Sequence, residues 1–334
     1  MTRTLTRRAT RILTAACTAL LTVSLAACSS SDSDSDASGL VPLSVGEPWS
    51  GTAGKTPVET SPFGYAVKLG LAQPILKKYG FAYQRFVGFN NGPPVVAALQ
   101  SGNLQVGIIG DTPAVQARAS GIDVPALAIA KPNSDIWFLG RQGGPSSIKD
   151  LAGKTVALQF GSNFDKYGRA VLERAGISGK VHLVNMLFAD ALPALQRGDV
   201  DAVPLPATTA GIWRQRGDFP ILSKASVDDP DLLATSVALT SRAALTAHPT
   251  LPKAVWEVIN AGNTAIAKDH RAYAAFVAAA TGSPQDIVEQ ATLWQYATTP
   301  KDPTGIATVQ TTLDFLRRTG KVKQTFDVGQ WVVS

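Results

Sequence analysis

Two stretches of this chain repeat one another 96 residues apart. Residues 97–107 read AALQSGNLQVG and residues 193–203 read PALQRGDVDAV, sharing the pattern A-L-Q-x-G. In each copy a helix-period segment closes at glycine, which readily takes the left-handed conformation that ends many helices, and runs directly into a strand pattern. Both copies sit at equivalent places in consecutive α/β segments. Two similar lobes with a cleft between them fit that arrangement. Two βα units of a single sheet would also look alike over so short a stretch, and that alternative stays open here.

The surrounding sequence alternates throughout. Strand patterns occur at Val41–Val45, Ala82–Val87, Gln105–Ile109, Pro125–Ile129, Trp137–Arg141, Thr155–Gln159, Val181–Leu187, Ala202–Leu205 and Thr235–Thr240. Helical periodicity fills Gly64–Tyr79, Pro93–Ser101, Pro113–Ala119, Lys166–Ala175, Ala189–Arg197, Thr208–Arg216, Pro252–Asp269 and Ala272–Thr281. Alternation of this kind predicts an α/β protein with mostly parallel sheets. A further helix is predicted from Ser283-Pro284-Gln285-Asp286, with serine as cap, proline in the first turn and Asp286 closing a capping box.

The N-terminus carries Arg3, Arg7, Arg8 and Arg11 with no acid, then an apolar run from Ile12 to Ala27 too short to span a bilayer comfortably. This reads as a signal peptide over residues 1–27. Its end, Leu25-Ala26-Ala27-Cys28, resembles the lipobox of bacterial lipoproteins, which implies diacylglyceryl attachment at Cys28. A plain secretory site with Cys28 as bystander is the alternative. Removing the four arginines leaves 27 basic residues against 25 acidic, a net charge of +2 instead of +6, so no nucleic-acid partner is inferred from the basic balance. Cys17 would be discarded with the signal and Cys28 lipidated, leaving no free thiol for disulfides, thiolate catalysis or metal ligation. Residues 28–39 are polar and acidic, a solvated tether reaching roughly 20 Å as a coil. The 295 residues from Leu40 onward suffice for two lobes.

The stretch FVGFNNGPPVVAALQSGNLQVGIIGDTPAVQARASG, residues 86–121, and SIKDLAGKTVALQFGSNFDKYGRAVLERAGIS, residues 147–178, resemble the sulfonate, taurine and nitrate branch of ABC-transporter solute-binding proteins. The resemblance implies a two-lobe α/β fold of the periplasmic-binding-protein type II kind, with a ligand cleft between lobes joined by two crossover strands. Those crossovers would lie near Trp137–Arg141 and Val237–Arg242. Lobe one would comprise residues 40–138 and 241–334, and lobe two residues 139–240.

Ligands of open α/β sheets lie outside the carboxyl ends of the strands, where helix N-termini converge. Gly110-Asp111-Thr112-Pro113 is one such end, with Pro113 at a first helical position making Thr112 the expected cap. Gly161-Ser162-Asn163-Phe164 is the other. Two helix ends on opposite lobes would clamp one small anion, each through its partial positive charge. Ordinary caps that satisfy only their own backbone look the same in sequence. Asp111 must then point away, cap its helix or meet a basic group on the ligand. Trp49, Phe63 and Tyr65 flank a long glycine-rich loop and are candidates for an apolar lip, although the last two also suit a helix core face. Asn90 and Asn91 before Gly92-Pro93, which turn chemistry alone would also explain, and Arg141 on the expected hinge, which suits a surface ion pair as well as an anion, complete the candidates. Tryptophan-rich sequence expected after the second repeat is absent; only Pro206, in AVPLPATT, corresponds.

His182, His248 and His270 are scattered without metal-ligand spacing, and no nucleotide-binding or nucleophile-elbow motif occurs. No cofactor and no catalysis are expected. The implied function is capture of a small organic anion by a membrane-anchored monomer on the extracytoplasmic side, which delivers it to an ABC permease. Relatives of the fold that build thiamine or menaquinone make a heterocycle-binding protein or enzyme the second class, and a ligand-sensing receptor lobe the third.

Overall fold

The structure, a computed structural model, describes residues 39–49 and 56–333. The signal peptide, Cys28 and residues 29–38 of the tether lie outside the described residues, as do residues 50–55 of the glycine-rich loop.

In chain order the first series is β1 (Val41–Pro48), α1 (Pro62–Lys68), α2 (Ala72–Lys78), β2 (Phe81–Phe89), α3 (Gly92–Gln100), β3 (Val106–Gly110), α4 (Asp111–Ala119) and β4 (Ala126–Ser134). The second is β5 (Ile136–Gly140), β6 (Thr155–Leu158), α5 (Asn163–Arg174), β7 (His182–Asn185), α6 (Phe188–Arg197), β8 (Ala202–Pro206), α7 (Ala207–Arg214), β9 (Ile221–Lys224) and α8 (Ala225–Asp228). The third is β10 (Ala234–Leu239) with α9 (Arg242–Ala247), α10 (Leu251–Lys268), α11 (His270–Thr281), α12 (Gln285–Ala291), α13 (Pro303–Arg318) and α14 (Val328–Trp331).

These strands form two five-stranded sheets, ordered β2-β1-β3-β10-β4 and β7-β6-β8-β5-β9. The sheets match position by position. Both are mixed where mostly parallel sheets were predicted, because α/β alternation does not show the direction of the strand that crosses between sheets: β1 is parallel to β2 and β3 as β6 is to β7 and β8, and the fourth strand of each sheet runs antiparallel to both neighbours. The two A-L-Q-x-G copies fall at equivalent junctions, α3 into β3 and α6 into β8, with Gly102 at φ 77° and Gly198 at φ 80°. The repeat therefore marks two sheets, not two units of one. Every residue of β5 is buried, as expected of a central strand with helices on both faces and no solvent side.

The fourth strand of each sheet comes from the far side of a crossover. Trp137–Arg141 and Val237–Arg242 were the expected crossing strands, but β5 lies wholly in the second sheet and β10 wholly in the first. The chain changes sheet at Asp135 and just before Ala234, a few residues earlier, because an apolar run shows burial without showing which sheet buries it. The predicted helix Gly64–Tyr79 is two helices. Gly70, at φ 73°, ends α1 with Gly70 N–H donating to Val67 and Leu71 N–H to Ala66, the paired bonds of a glycine-closed helix terminus. Asp286 closes no capping box; the Ser283 hydroxyl bonds Thr281 and Pro284 takes the cap position.

Leu43, Phe63, Leu76, Leu127 and Val258 fill the space between the first sheet and α1, α2 and α10. A second apolar cluster, including Val95, Val115, Val237 and Leu313, covers the other face and continues into Phe138, Val156, Leu158 and Tyr167 of the second sheet. The lobes thus share core. α13 packs on β4, β10 and α4 of the first lobe, whereas α12 packs on α7 of the second. No helix of the described residues is long and apolar enough to cross a membrane.

Candidate functional site

The carboxyl ends of β1, β3, β6 and β8 converge on a cavity of about 300 Å³. Its walls come from both sheets and from α11 and α12, which contribute Tyr273, Val277 and Val288. Seven of the residues singled out from the sequence line it: Trp49, Asn91, Gly110, Ser162, Asn163, Phe164 and Pro206. The others lie elsewhere. Phe63 is fully buried in the first-lobe core, and Tyr65 packs edge-on against Tyr273, with a 5.2 Å ring separation. Arg141 pairs with Asp201 at 2.8 Å and faces a different pocket with Arg197 and Arg216. Asn90 lies outside the wall, its carbonyl accepting the Gln159 amide at 3.0 Å across the two lobes.

The two helix ends meet each other. Gly110, not Thr112, is the cap of α4, and Pro113 stands third in the helix, still within the first turn where its missing N–H removes no helical bond. The Thr112 N–H donates to Asn163 Oδ1 at 2.9 Å, and the Asn163 amide reaches the Thr235 carbonyl at 3.4 Å. Thus the first residue of α5 occupies the N-terminus of α4. Ser162 caps α5, accepting from the Phe164 and Asp165 N–H groups and donating to the Gln159 carbonyl. The Gly161 N–H goes to Asp165 at 3.1 Å. First-turn donors that were expected to face a solute are largely held by protein acceptors, which is the ordinary-cap reading for Ser162. Asp111 points away from the cavity and meets Lys166 at 3.0 Å, with Thr312 bonded to both.

Charge on the wall comes from residues the motifs did not flag, namely Glu47, Lys131 and Asp135. Glu47 ends β1, accepts the Thr60 N–H at 3.2 Å, and is pushed up to about 8 by burial against the opposing pull of that bond and of Lys131. Behind it Glu59 is held well above the carboxylate range by burial and by the Glu47 charge. Lys131, on β4, is lowered by burial, an effect that Glu47 opposes. Asp135 is a different case. Its oxygens accept from Ile136 N–H, Trp137 Nε1, and the N–H and hydroxyl of Ser226, so it pins the crossover. A signal existed: Glu47 and Lys131 are lone charges inside apolar strands, VPLSVGEP and ALAIAKPNS, where charged residues are rarely buried without purpose. Among the described residues no cluster of His, Cys, Asp and Glu could hold a metal ion.

Residues 87–272 match the family model described as NMT1/THI5 like. The chain belongs to the NMT1/THI5-like family. An aliphatic sulfonates-binding protein of Escherichia coli (strain K12) is 30% identical over 133 residues, 39% of this chain and 42% of that protein. The taurine-binding periplasmic protein of the same organism is 32% identical over 125 residues, 36% of this chain and 39% of that protein. The chain therefore spans about two fifths of the length of the curated relatives it matches. The crystal structure of the periplasmic aliphatic sulphonate binding protein SsuA from Escherichia coli superposes with a TM-score of 0.67 at 20% identity, covering 87% of this chain and 97% of that one. This likeness shows the fold, that of a two-lobe periplasmic binding protein.

Proposed function

We propose that this protein is the extracytoplasmic solute-binding lipoprotein of an ABC importer, capturing a small organic anion of sulfonate or taurine type between its lobes for a permease. The observation that carries the reading is Lys131, a basic side chain on the cavity wall that makes no hydrogen bond or ion pair among the described residues. An anion is the group such a site can hold. The apolar wall from Trp49, Ile108, Phe164 and Val277 suits a short hydrocarbon tail. Relatives named for binding aliphatic sulfonates and taurine support the class. The two sheets, between which the chain passes at Asp135 and just before Ala234, are proposed as the centres of the two capturing lobes, and the lipobox-like Leu25–Cys28 supports anchoring through Cys28.

Calorimetry of the mature protein against alkanesulfonates, taurine, nitrate and a pyrimidine precursor tests capture. Saturable binding with the solute recovered unchanged is expected; a new product would overturn it. Replacing Cys28 with serine is expected to move the protein from the membrane to the soluble fraction.

A further inference from the structure

An acidic and a basic side chain line the cavity without meeting. Glu47 on β1 and Lys131 on β4 are near enough that each charge shifts the other's ionisation, yet they form no ion pair. Among the described residues Glu47 accepts only the Thr60 N–H, and Lys131 has no partner. Glu47 is buried and Lys131 half-buried, and a carboxyl and an amine so placed ordinarily bond each other, since leaving either without a partner is costly. On the lining of one cavity, each keeps bonding capacity for what enters. Asp135, the third charge on the wall, is already filled by protein donors.

Resting on the solute-binding reading and narrowing it, we propose that Glu47 receives a protonated nitrogen of the solute while Lys131 holds its acidic end. The solute class is then defined by two charges of opposite sign a short chain apart, whatever the acid. The charge count supports this. Glu59 is a second buried carboxyl near enough to Glu47 to feel its charge, and Glu59 Oε2 is buried without a partner among the described residues. The remaining ionisable groups around Glu47, Tyr83 and Tyr273, are raised by burial and stay neutral. With the cavity empty, Glu47 near pH 7 keeps its proton; a cation arriving beside it favours the carboxylate, so capture releases a proton.

Matched pairs test the proposal: taurine against ethanesulfonate and β-alanine against propionate, titrated into wild type, Glu47→Gln and Lys131→Met. The wild type is expected to bind at least one amine-bearing member about tenfold or more tighter than its amine-free partner, releasing close to one proton at pH 7, read from buffers of different ionisation heat. Glu47→Gln removes both the preference and the proton, and Lys131→Met weakens both members of a pair. Equal binding within pairs, or a preference that survives Glu47→Gln, overturns the inference and leaves solute capture standing. Binding of none of the four, with nitrate, longer alkanesulfonates and the pyrimidine also silent, overturns both. Thermal melts of each variant separate lost binding from lost folding.

Discussion

Lys166 and Asp111 form an ion pair at 3.0 Å with neither side chain more than 1% exposed, and they belong to different lobes. Lys166 projects from α5 of the second lobe, Asp111 from α4 of the first, and Thr312 of α13 bonds both. The second Asp111 oxygen accepts the Thr235 N–H at 3.1 Å, where β10 begins. Removing one partner strands a buried charge, so Lys166→Met or Asp111→Leu is expected to cost about 3–5 kcal/mol. The double variant Asp111→Leu with Lys166→Met is expected to lose less than the two single costs together. A double-mutant cycle in urea measures this, and simple additivity would show that the pair does not act as a unit.

Gly110 of the first lobe packs directly against Asn163 of the second beside the cavity. A Cβ added at Gly110 would lie 2.5 Å from the Asn163 amide, closer than real contacts allow. Gly110→Ala is therefore expected to prise the helix ends apart, raising the radius of gyration in X-ray scattering and weakening solute capture about tenfold or more. Asn163→Ala in the same chain clears the clash. Recovery of compactness in the pair, and none in Gly110→Ala alone, is the result that supports a direct contact.

Glu47 and Glu59 make stability depend on pH in the direction opposite to most carboxylates. Burial raises both, so between the ordinary value of 4.5 and about 8 the folded protein holds Glu47's proton while the unfolded chain has lost it. Their contribution is complete below 4.5 and is lost as pH rises through about 8. The surface pairs behave conversely: Asp123, Glu173 and Asp231 are lowered chiefly by arginine hydrogen bonds, and their share is lost only as pH falls. Scanning calorimetry is expected to show the unfolding temperature falling from about pH 6 to pH 8.5, with Glu47→Gln and Glu59→Gln flattening that fall by about 2–4 °C per kcal/mol recovered. Unchanged slopes in both variants would place the dependence elsewhere.

Much of the architecture is legible because sheets covered on both faces impose uniform demands. Strands such as Val106–Gly110 and Ile136–Gly140 are buried on both faces and read as continuous apolar runs, and the A-L-Q-x-G repeat lands at matching junctions of the two sheets. What sequence could not show depends on which surfaces meet. Gly110 became the cap of α4 in place of Thr112 because proline is tolerated anywhere in a first helical turn, not only at its start. Ser162 was legible as a cap, but not that its neighbour Asn163 would fill the opposing helix end. Glu47 and Lys131 belong to strands separated by β3 and β10 and by 84 positions in the chain, so nothing local announces that they share a cavity.

The wall of the cavity formed by Thr60, Ser61 and Pro62 is held in place by a backbone contact behind it. Gly262 of α10 faces the Pro62 carbonyl so closely that an added Cβ would stand 1.8 Å from the oxygen. Neither partner can yield cheaply, since one is helical backbone and the other begins α1, whose Phe63 and Ala66 are buried in the core beneath. Gly262→Ala is expected to destabilise by about 1–3 kcal/mol or more through overpacking. Because the displaced α1 carries the wall, solute affinity is expected to fall with it. Gly179 provides the comparison. It lies in open space without a positive φ, so Gly179→Ala is expected to be neutral or to stabilise by about 0.4–1 kcal/mol through the unfolded chain. Urea titrations of the two variants decide the matter: equal midpoints would mean that α10 does not press on α1 at Pro62. A loss confined to Gly262→Ala, accompanied by weaker capture, would tie the position of the wall to this one close approach.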